Sequence, residues 1–310
     1  MAQRTGILSE GARRVWRYQR LLWWFFFTNL ALAAFGTLPV STALGRVADH
    51  SLYSQRLYQG FSLSAFWELA GNPEVALWSR LSGSLLFALI FLVLALFLTG
   101  GILETYRANR KPVTGDFFQA CGAFFWRWVR LLIFLLIVLA PITIAASGIT
   151  AWSDMLSQDA PQEKLGSWVE VAGMLCATLL MMAVRLWFDM AQVHTVGEDE
   201  RSMRRAVARC FGLTFRNFGS LFWIYFRISL LAWLGLAAAV LIWLRVPAQR
   251  VGLSFVVLEI ALLWWMGTRL WQRASETVWY ERHSPAVMTP LPAPEVFVPP
   301  VPAPSPEGTI

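Results

Sequence analysis

The stretch RLWFDMAQVHTVGEDERSMRRAVARCFGLTFRNF, residues 185–218, lies between two long apolar runs and decides the fold. It carries six arginines: Arg185, Arg201, Arg204, Arg205, Arg209 and Arg216. Loops rich in Lys and Arg stay on the cytoplasmic side when the flanking apolar segments insert into a membrane. The stretch therefore predicts a cytoplasmic loop, and the remaining loops then fall on alternating sides of the membrane.

Composition also indicates an integral membrane protein. Hydrophobic residues make up 57% of the 310 residues, and charged residues only 15%. The apolar residues form blocks of about 17 or more, the length that a helix needs to cross a bilayer. We predict an all-α polytopic protein with both termini cytoplasmic, interfacial amphipathic helices and six membrane spans: residues 21–44, 81–103, 131–148, 168–190, 219–244 and 251–268.

The basic residues agree with this topology. Twenty of the 26 Lys and Arg residues fall on the predicted cytoplasmic side, and six fall outside: Arg46, Arg56, Arg80, Lys164, Arg245 and Arg250. Topology therefore explains the net charge of +7 better than nucleic-acid binding does. The expected location is the cytoplasmic (inner) membrane of a bacterium.

Three regions follow along the chain. Residues 1–20 form a basic cytoplasmic arm, and residues 21–283 form the transmembrane domain. The first apolar run is too long for a signal peptide, so we expect it to be retained. Residues 284–310 hold nine of the 15 prolines and no basic residue, which predicts a disordered, partly polyproline-II tail. The outer segment 46–80 predicts a short surface helix, with a substrate-binding lid as the alternative.

A basic amphipathic helix is predicted to follow Glu198-Asp199-Glu200. Its apolar residues form one stripe, and three arginines at intervals of four residues lie away from that stripe: Arg201, Arg205 and Arg209. Such a helix is suited to lie on the anionic inner leaflet. We therefore expect inner-leaflet lipids among the partners of this protein.

Glu259 is the main candidate for a functional residue, because it lies near the middle of the sixth predicted span. A charge at that depth is costly and often marks an ion or substrate pathway. The alternative is a structural role, either as a neutral acid or through a hydrogen bond to Asn29, Thr143 or Thr178.

A second candidate lies at the cytoplasmic interface. Arg185 and Asp189 are four residues apart, so they are expected to form an ion pair on one helix face. The alternative is a lipid-phosphate site built from Arg185, Arg127 or Arg130.

Signatures of catalysis and metal binding are missing from the sequence. It contains no HExxH, P-loop or GxSxG motif, and Cys121, Cys176 and Cys210 lack metal-ligand spacing. The three histidines are scattered, so surface or interfacial positions are favoured for them. We therefore expect no enzyme activity, no metal and no cofactor, although dispersed catalytic residues would leave no such motif.

A weak repeat precedes the odd-numbered spans. Its three copies are GARRVWRYQR, ACGAFFWRWVR and ARCFGLTFRNFG, and Cys121 and Cys210 take similar places in the last two. The copies could mark three related hairpins, each with an interfacial helix and two spans. Cytoplasmic arginines and interfacial aromatic residues could also create the same likeness without a repeat.

Three segments resemble a broad group of bacterial six-span integral membrane proteins of uncharacterised function. These segments are LTGGILETYR (98–107), FFQACGAFFWRWVRL (117–131) and RLWFDMAQVHTVGEDERSMRRAVARCF (185–211). The group is similar in layout to the membrane domain that precedes some glycerophosphodiester phosphodiesterases. In those enzymes a separate soluble domain performs catalysis, so the resemblance implies a membrane module without chemistry of its own.

Two functional classes remain open. The first, which we favour, is a non-catalytic membrane module that binds a partner protein or lipid through its basic cytoplasmic helices. The second is a small transporter or transporter subunit with Glu259 in its pathway. The sequence names neither a substrate nor an oligomeric state.

Overall fold

The computed structural model describes residues 6–49, 64, 67–68, 71, 77–111, 113–159, 164–247 and 249–283. The proline-rich tail, 284–310, and most of the outer segment 46–80 lie outside these residues. Within the described ranges the regular structure is helical, and no strand occurs there. The predicted all-α fold class is confirmed at this level.

Eight helices account for most of the described chain. They are α1 (Ile7–Arg17), α2 (Gln19–Asp49), α3 (Leu77–Ala108), α4 (Thr114–Asp159), α5 (Lys164–Glu198), α6 (Met203–Arg216), α7 (Phe218–Arg245) and α8 (Val251–His283).

Six of these helices, α2 to α5 together with α7 and α8, are long and apolar enough to cross a membrane. Their mean hydropathy lies between 1.6 and 2.8. They indicate a multi-pass membrane protein, as predicted. The helices also extend beyond the predicted spans: α4 is one continuous helix of 46 residues with Pro141 inside it, and it includes residues 120–130, the second copy of the weak repeat.

The two ends of the bundle differ, and we name them by their contents. The basal end holds α1, α6, the first part of α4, and the C-terminal ends of α3, α5 and α8. The distal end holds the C-terminal ends of α4 and α7 and the N-terminal ends of α5 and α8. We call α1, residues 114–130 and α6 the three basal segments, because each directly precedes a long apolar stretch.

The six long helices are arranged in a closed cyclic order. Helices α3, α5 and α8 contact one another and form the centre. Each outer helix lies against two central ones: α2 against α8 and α3, α4 against α3 and α5, and α7 against α5 and α8. The basal segments follow the same order, with α1 on α8, residues 114–130 on α3, and α6 on α5. The three predicted hairpins thus make equivalent contacts in a cyclic order.

Each hairpin has a close helix contact at a glycine outside the basal end. Ser84 Oγ donates a hydrogen bond to the Gly36 carbonyl across 2.8 Å. A Cβ on Gly173 would lie 2.3 Å from Ile149 Cγ2, and one on Gly235 would lie 2.0 Å from Trp264 Nε1. Small residues let membrane helices approach closely enough for dispersion forces to hold them together.

Large buried side chains concentrate at the basal end. Tyr106, Trp128, Phe188 and Trp279 are each no more than 2% exposed. By contrast, Ile144 is 70% exposed and Leu241 is 62% exposed. An apolar surface of this extent is expected of helices that face lipid.

Candidate functional site at the basal end

The basal end contains buried charge, and the first cluster joins α1 to α8. Arg14 donates from Nη1 to the Tyr106 carbonyl at 2.7 Å and to Glu281 Oε1 at 2.9 Å, and its Nη2 lies 2.6 Å from Glu281 Oε2. The same Nη2 lies 3.1 Å from Glu10 Oε1, and Arg282 pairs with the other oxygen of Glu10. One guanidinium therefore ties the N-terminal helix to two central helices.

Electrostatics within this cluster favour the charged forms. Burial lowers the pKa of Arg14, but the hydrogen bonds and charges of Glu281 and Glu10 outweigh it and raise the net value. Burial raises the pKa of Glu10, yet hydrogen bonds from Arg282 and Arg14 outweigh burial and hold it below its ordinary value. Both residues thus remain ionised near neutral pH.

The second cluster joins α5 to α8. Asp189 is only 5% exposed, and its two carboxylate oxygens face Arg273 Nη2 at 3.3 Å and Gln272 Nε2 at 3.4 Å. Gln272 Nε2 also donates to Glu276 Oε1 at 2.9 Å, and Arg273 donates to Gln192. Glu276 is 2% exposed, and its Oε2 has no hydrogen-bond partner among the described residues.

The third cluster lies at the C-terminal end of α5. His194 Nδ1 is 2.6 Å from the Tyr280 hydroxyl, which donates to Glu198 Oε1 at 2.9 Å. Arg209 Nη1 on α6 lies 3.7 Å from Glu198 Oε2 and 3.4 Å from Glu200 Oε2. This chain of contacts connects α8, α5 and α6, and His194 is buried at 5% exposure rather than superficial.

Arg107 completes the connection between α3 and α5. Its Nη1 donates to the carbonyls of Val196 and Gly197 at 2.8 and 3.0 Å, and its Nε lies 3.1 Å from Glu104 Oε2. The last carbonyls of a helix lack partners within that helix, so an arginine from a neighbouring helix satisfies them.

The central helices also share a buried threonine. Thr105, Thr195 and Thr277 are each no more than 5% exposed. Each hydroxyl donates to the carbonyl four residues earlier, at 2.7, 2.7 and 2.9 Å respectively. The residue before each threonine is titratable: Glu104, His194 and Glu276. This shared pattern supports the cyclic arrangement of the hairpins independently of the arginines.

A small pit opens where the three central helices meet at the basal end. Its volume is about 10 Å³, roughly that of one water molecule. It is lined from α3, α5 and α8 by residues including Leu103, Arg107, Val196, Thr277, Tyr280 and Glu281. The centre of the basal end is thus filled by side chains.

Three larger grooves lie on the sides of the basal end, each between an outer helix and the next basal segment. Groove A, about 270 Å³, separates the start of α2 from Lys111 and Thr114. Groove B, about 490 Å³, separates α4 from α6, and groove C, about 740 Å³, separates α7 from α1. Their linings include Arg17, Arg20, Trp24 and Lys111 in groove A, Phe134, Trp187, Arg204 and Phe211 in groove B, and Ile7, Leu8, Trp223 and Arg227 in groove C.

The groove cations differ from those of the interior. Among the buried and half-buried arginines, Arg14, Arg107 and Arg273 each pair with a carboxylate. The groove residues Arg17, Arg20, Lys111, Arg204 and Arg227 are exposed, and none forms an ion pair with a described residue. Arg227 stacks over the Trp223 ring at 4.8 Å. Their positive charge is thus available to a ligand.

The arginines that the sequence analysis named at the cytoplasmic interface have different surroundings from one another. Arg185 Nε lies 3.8 Å from Asp189 Oδ2, at the edge of the second cluster. Arg127 lies 2.6 Å from Asp199 and stacks over the Phe124 ring, whereas Arg130 is exposed. The lipid-phosphate site built from Arg185, Arg127 or Arg130 stays a prediction.

The predicted basic helix begins later than its first arginine. Helix α6 starts at Met203, so Arg201 precedes it, and both Arg201 and Arg205 are exposed. Arg209 instead faces Glu198 and Glu200. The buried face consists of Met203, Ala206, Cys210 and Thr214, and Cys210 Sγ approaches the Met190 carbonyl at 3.6 Å. Burial raises the pKa of the Cys210 thiol to about 12, so it stays protonated.

Glu259 lies in α8, away from the basal clusters. The residue is half-buried, and its Oε2 is buried without a hydrogen-bond partner among the described residues. The suggested donors do not reach it: Thr143 bonds to the Ala140 carbonyl and Thr178 to the Met174 carbonyl.

Sequence reasoning missed the buried members of the clusters, chiefly Arg14, Gln272, Glu276 and Glu281. A signal was present, because Gln272, Glu276 and Tyr280 recur every four residues and so share one face of α8. It was obscured because charges near a span end were attributed to a solvated loop. Within the described residues, no group of three His, Cys, Asp or Glu side chains could hold a metal ion.

No known family, curated protein or solved structure matches this chain. The resemblance to bacterial six-span membrane proteins and to the phosphodiesterase membrane domain remains a prediction.

Proposed function

We propose that this protein is a non-catalytic integral membrane module of the bacterial cytoplasmic membrane. Its basal end faces the cytoplasm with both termini, and it binds a partner protein or lipid there. The observation that carries the proposal is the division of charge at the basal end. The buried or half-buried Arg14, Arg107 and Arg273 pair with carboxylates. Arg130, Arg201 and Arg205 are exposed and form no ion pair with a described residue.

This division favours binding over transport. Opposite charges in the interior fix the helices to one another, which suits a rigid scaffold. The unpaired surface cations are suited to an anionic partner, and each contributes roughly 1 kcal/mol near an anionic membrane surface. Exposed aromatic residues at the same end, Trp16 at 78% and Trp126 at 67%, are typical of a membrane interface.

The test is purification of the full chain from native membranes in polymer-bounded nanodiscs, with mass spectrometry of what accompanies it. We expect a stoichiometric protein or a specific anionic lipid, which is reduced in the basal variant Arg201→Gln/Arg205→Gln. The matched control is Arg245→Gln/Arg250→Gln, which removes two exposed charges from the distal end. Recovery of neither a protein nor an enriched lipid would contradict the proposal.

A second candidate is a small transporter or transporter subunit, and the unpartnered Oε2 of Glu259 favours it. Unpaired acids within membrane helices often lie on ion or substrate pathways. A small molecule retained by the wild type and lost in Glu259→Gln would support transport. Wild-type behaviour of Glu259→Leu in expression, stability and any cellular phenotype would remove this candidate.

A further inference from the structure

We propose that grooves A, B and C each bind one anionic phospholipid, with its phosphate on the groove cations and an acyl chain along the apolar wall. The inference deepens the proposed function, because it rests on the basal end facing the inner leaflet. It names the ligand class and places three sites on the surface of the bundle.

The first argument is the equivalent position of the three grooves. Each one lies between an outer helix and the beginning of the next hairpin: α2 with Lys111 and Thr114 in groove A, α4 with α6 beside α5 in groove B, and α7 with α1 in groove C. The cyclic order of the hairpins gives the three grooves corresponding places around the bundle. One ligand class that fits one groove should therefore fit all three.

The second argument is the chemistry of the walls. Each groove carries at least one cation and a tryptophan: Arg20 and Trp24 in groove A, Arg204 and Trp187 in groove B, and Arg227 and Trp223 in groove C. No Asp or Glu lines any of them. A wall with cations, aromatic rings and aliphatic side chains complements an anionic headgroup joined to a hydrocarbon chain.

The third argument selects lipid over a protein segment. The walls include Trp24, Phe134, Val138 and Trp223, which belong to helices that are long and apolar enough to cross a membrane. Each groove thus begins among the basal residues and continues along an apolar helix. A lipid of the inner leaflet has this same sequence of a charged head followed by an apolar chain.

The experiment is native mass spectrometry of the delipidated full chain in mild detergent, titrated with phosphatidylglycerol or phosphatidylcholine. We expect up to three tightly bound phosphatidylglycerol molecules and weaker binding of phosphatidylcholine. In Arg204→Gln/Arg227→Gln, two of the three sites should weaken by about fivefold or more, since each basic residue is lost from one site. Each single variant should affect one site.

The matched control is Arg13→Gln/Arg216→Gln. Both residues are exposed cations of the basal segments that line none of the three grooves, so the control removes the same charge and should still bind three lipids. Thermal unfolding of both double variants checks that they fold. Equal binding of the two lipids, an equal loss in the control, or three unchanged sites in Arg204→Gln/Arg227→Gln would overturn the inference.

The nanodisc experiment separates this inference from the proposed function. A stoichiometric protein partner recovered without enriched anionic lipid would leave the membrane module standing and would remove the lipid grooves. Absence of both would remove the two proposals together. Three retained anionic lipids, two of which are lost in Arg204→Gln/Arg227→Gln and none in the control variant, would support both.

Discussion

The basal and distal ends of the bundle are built on different principles. At the basal end, Arg14, Asp189 and Glu198 connect neighbouring helices through ion pairs and hydrogen bonds. Towards the distal end, the two helices of a hairpin meet at glycines such as Gly173 and Gly235, and much of the apolar surface is exposed. Polar contacts between helices are thus concentrated at the basal end, whereas the contacts away from it are close approaches of apolar helices.

The surroundings of the contacts, within lipid or near the membrane surface, give a physical reason for the difference. Between two helices in lipid there is no hydrophobic driving force, because acyl chains are as apolar as leucine, so association depends on close packing. Near the membrane surface, charged groups can be paired, and a pair that loses one partner is strongly unfavourable. The basal contacts therefore specify which helices are neighbours, while the glycine contacts set how closely they approach.

Arg14→Met should cause the largest loss of stability, because it removes polar contacts of the basal end. The substitution keeps an unbranched apolar stem but removes an ion-pair partner of Glu281 and Glu10, together with the donor to the Tyr106 carbonyl. Removal of one member of a buried charge cluster typically costs about 3–5 kcal/mol. We expect a large fall in the apparent melting temperature in mild detergent, measured by tryptophan fluorescence.

Arg13→Met is the matched control, because Arg13 is the adjacent residue and is exposed. It removes the same charge with the same substitution, and we expect a small effect, since surface substitutions usually change stability by about 0.5 kcal/mol or less. Similar losses in both variants would show that the basal cluster does not hold α1 to the bundle.

Two glycine substitutions compare the close helix contacts at the two ends, and we expect smaller losses of stability from them than from Arg14→Met. A Cβ on Gly11 would lie 2.3 Å from Ser275 Oγ and 3.0 Å from Ser275 Cα, so a backbone stands in its way. The three atoms nearest to a Cβ on Gly235 all belong to the indole of Trp264, which is 44% exposed and is held by a hydrogen bond to the Leu231 carbonyl at 3.3 Å, so a side chain rather than a backbone must move. Overpacking costs about 1–3 kcal/mol, and we expect Gly11→Ala at the upper end of that range and Gly235→Ala at the lower.

Melting temperatures in the same detergent measure both glycine variants. Gly212→Ala serves as the control, because nothing lies within 4 Å of a Cβ at that position. A larger loss in Gly235→Ala than in Gly11→Ala would reverse the comparison, and would assign the tighter restraint to the contact between α7 and α8.

The sequence predicted the apolar helices well and the polar core poorly. Long uncharged runs leave few alternatives to a membrane helix, because backbone groups in lipid must bond within their own segment. Burial of a charge depends instead on partners far away in the chain: Arg14 meets Glu281 and Tyr106, which are 267 and 92 residues distant. No local pattern around Arg14 distinguishes it from the exposed Arg13.

Candidate site residues show the same limit. The Arg185 and Asp189 spacing correctly implied proximity, since residues four apart share a helix face. The additional partners of Asp189, Arg273 and Gln272, come from α8 and could not be inferred from spacing. The grooves likewise could not be predicted from the sequence, because each combines segments that only the cyclic order of the hairpins brings together.

The smallest expected effect is a dependence of stability on pH, which arises from Glu10 at the basal end. The pKa of Glu10 in the folded protein is held below its ordinary value by Arg282 and Arg14, after burial has acted in the opposite direction. The folded protein therefore binds fewer protons at Glu10 than the unfolded chain does. The resulting stability is fully present above the unfolded pKa, about 4.3, and is lost as pH falls through the lower folded value.

Glu10→Gln should therefore lower stability at pH 7 by less than about 1 kcal/mol, because a partly exposed ion pair contributes little. On acidification below about pH 4.3, the wild type should lose part of its advantage, and the two melting temperatures should converge. Glu170→Gln removes an exposed carboxylate that has no ion pair to a described residue, so its difference from the wild type should stay small. A constant gap between Glu10→Gln and the wild type from pH 7 to pH 3.5 would mean that Glu10 stabilises α1 by packing rather than by its charge.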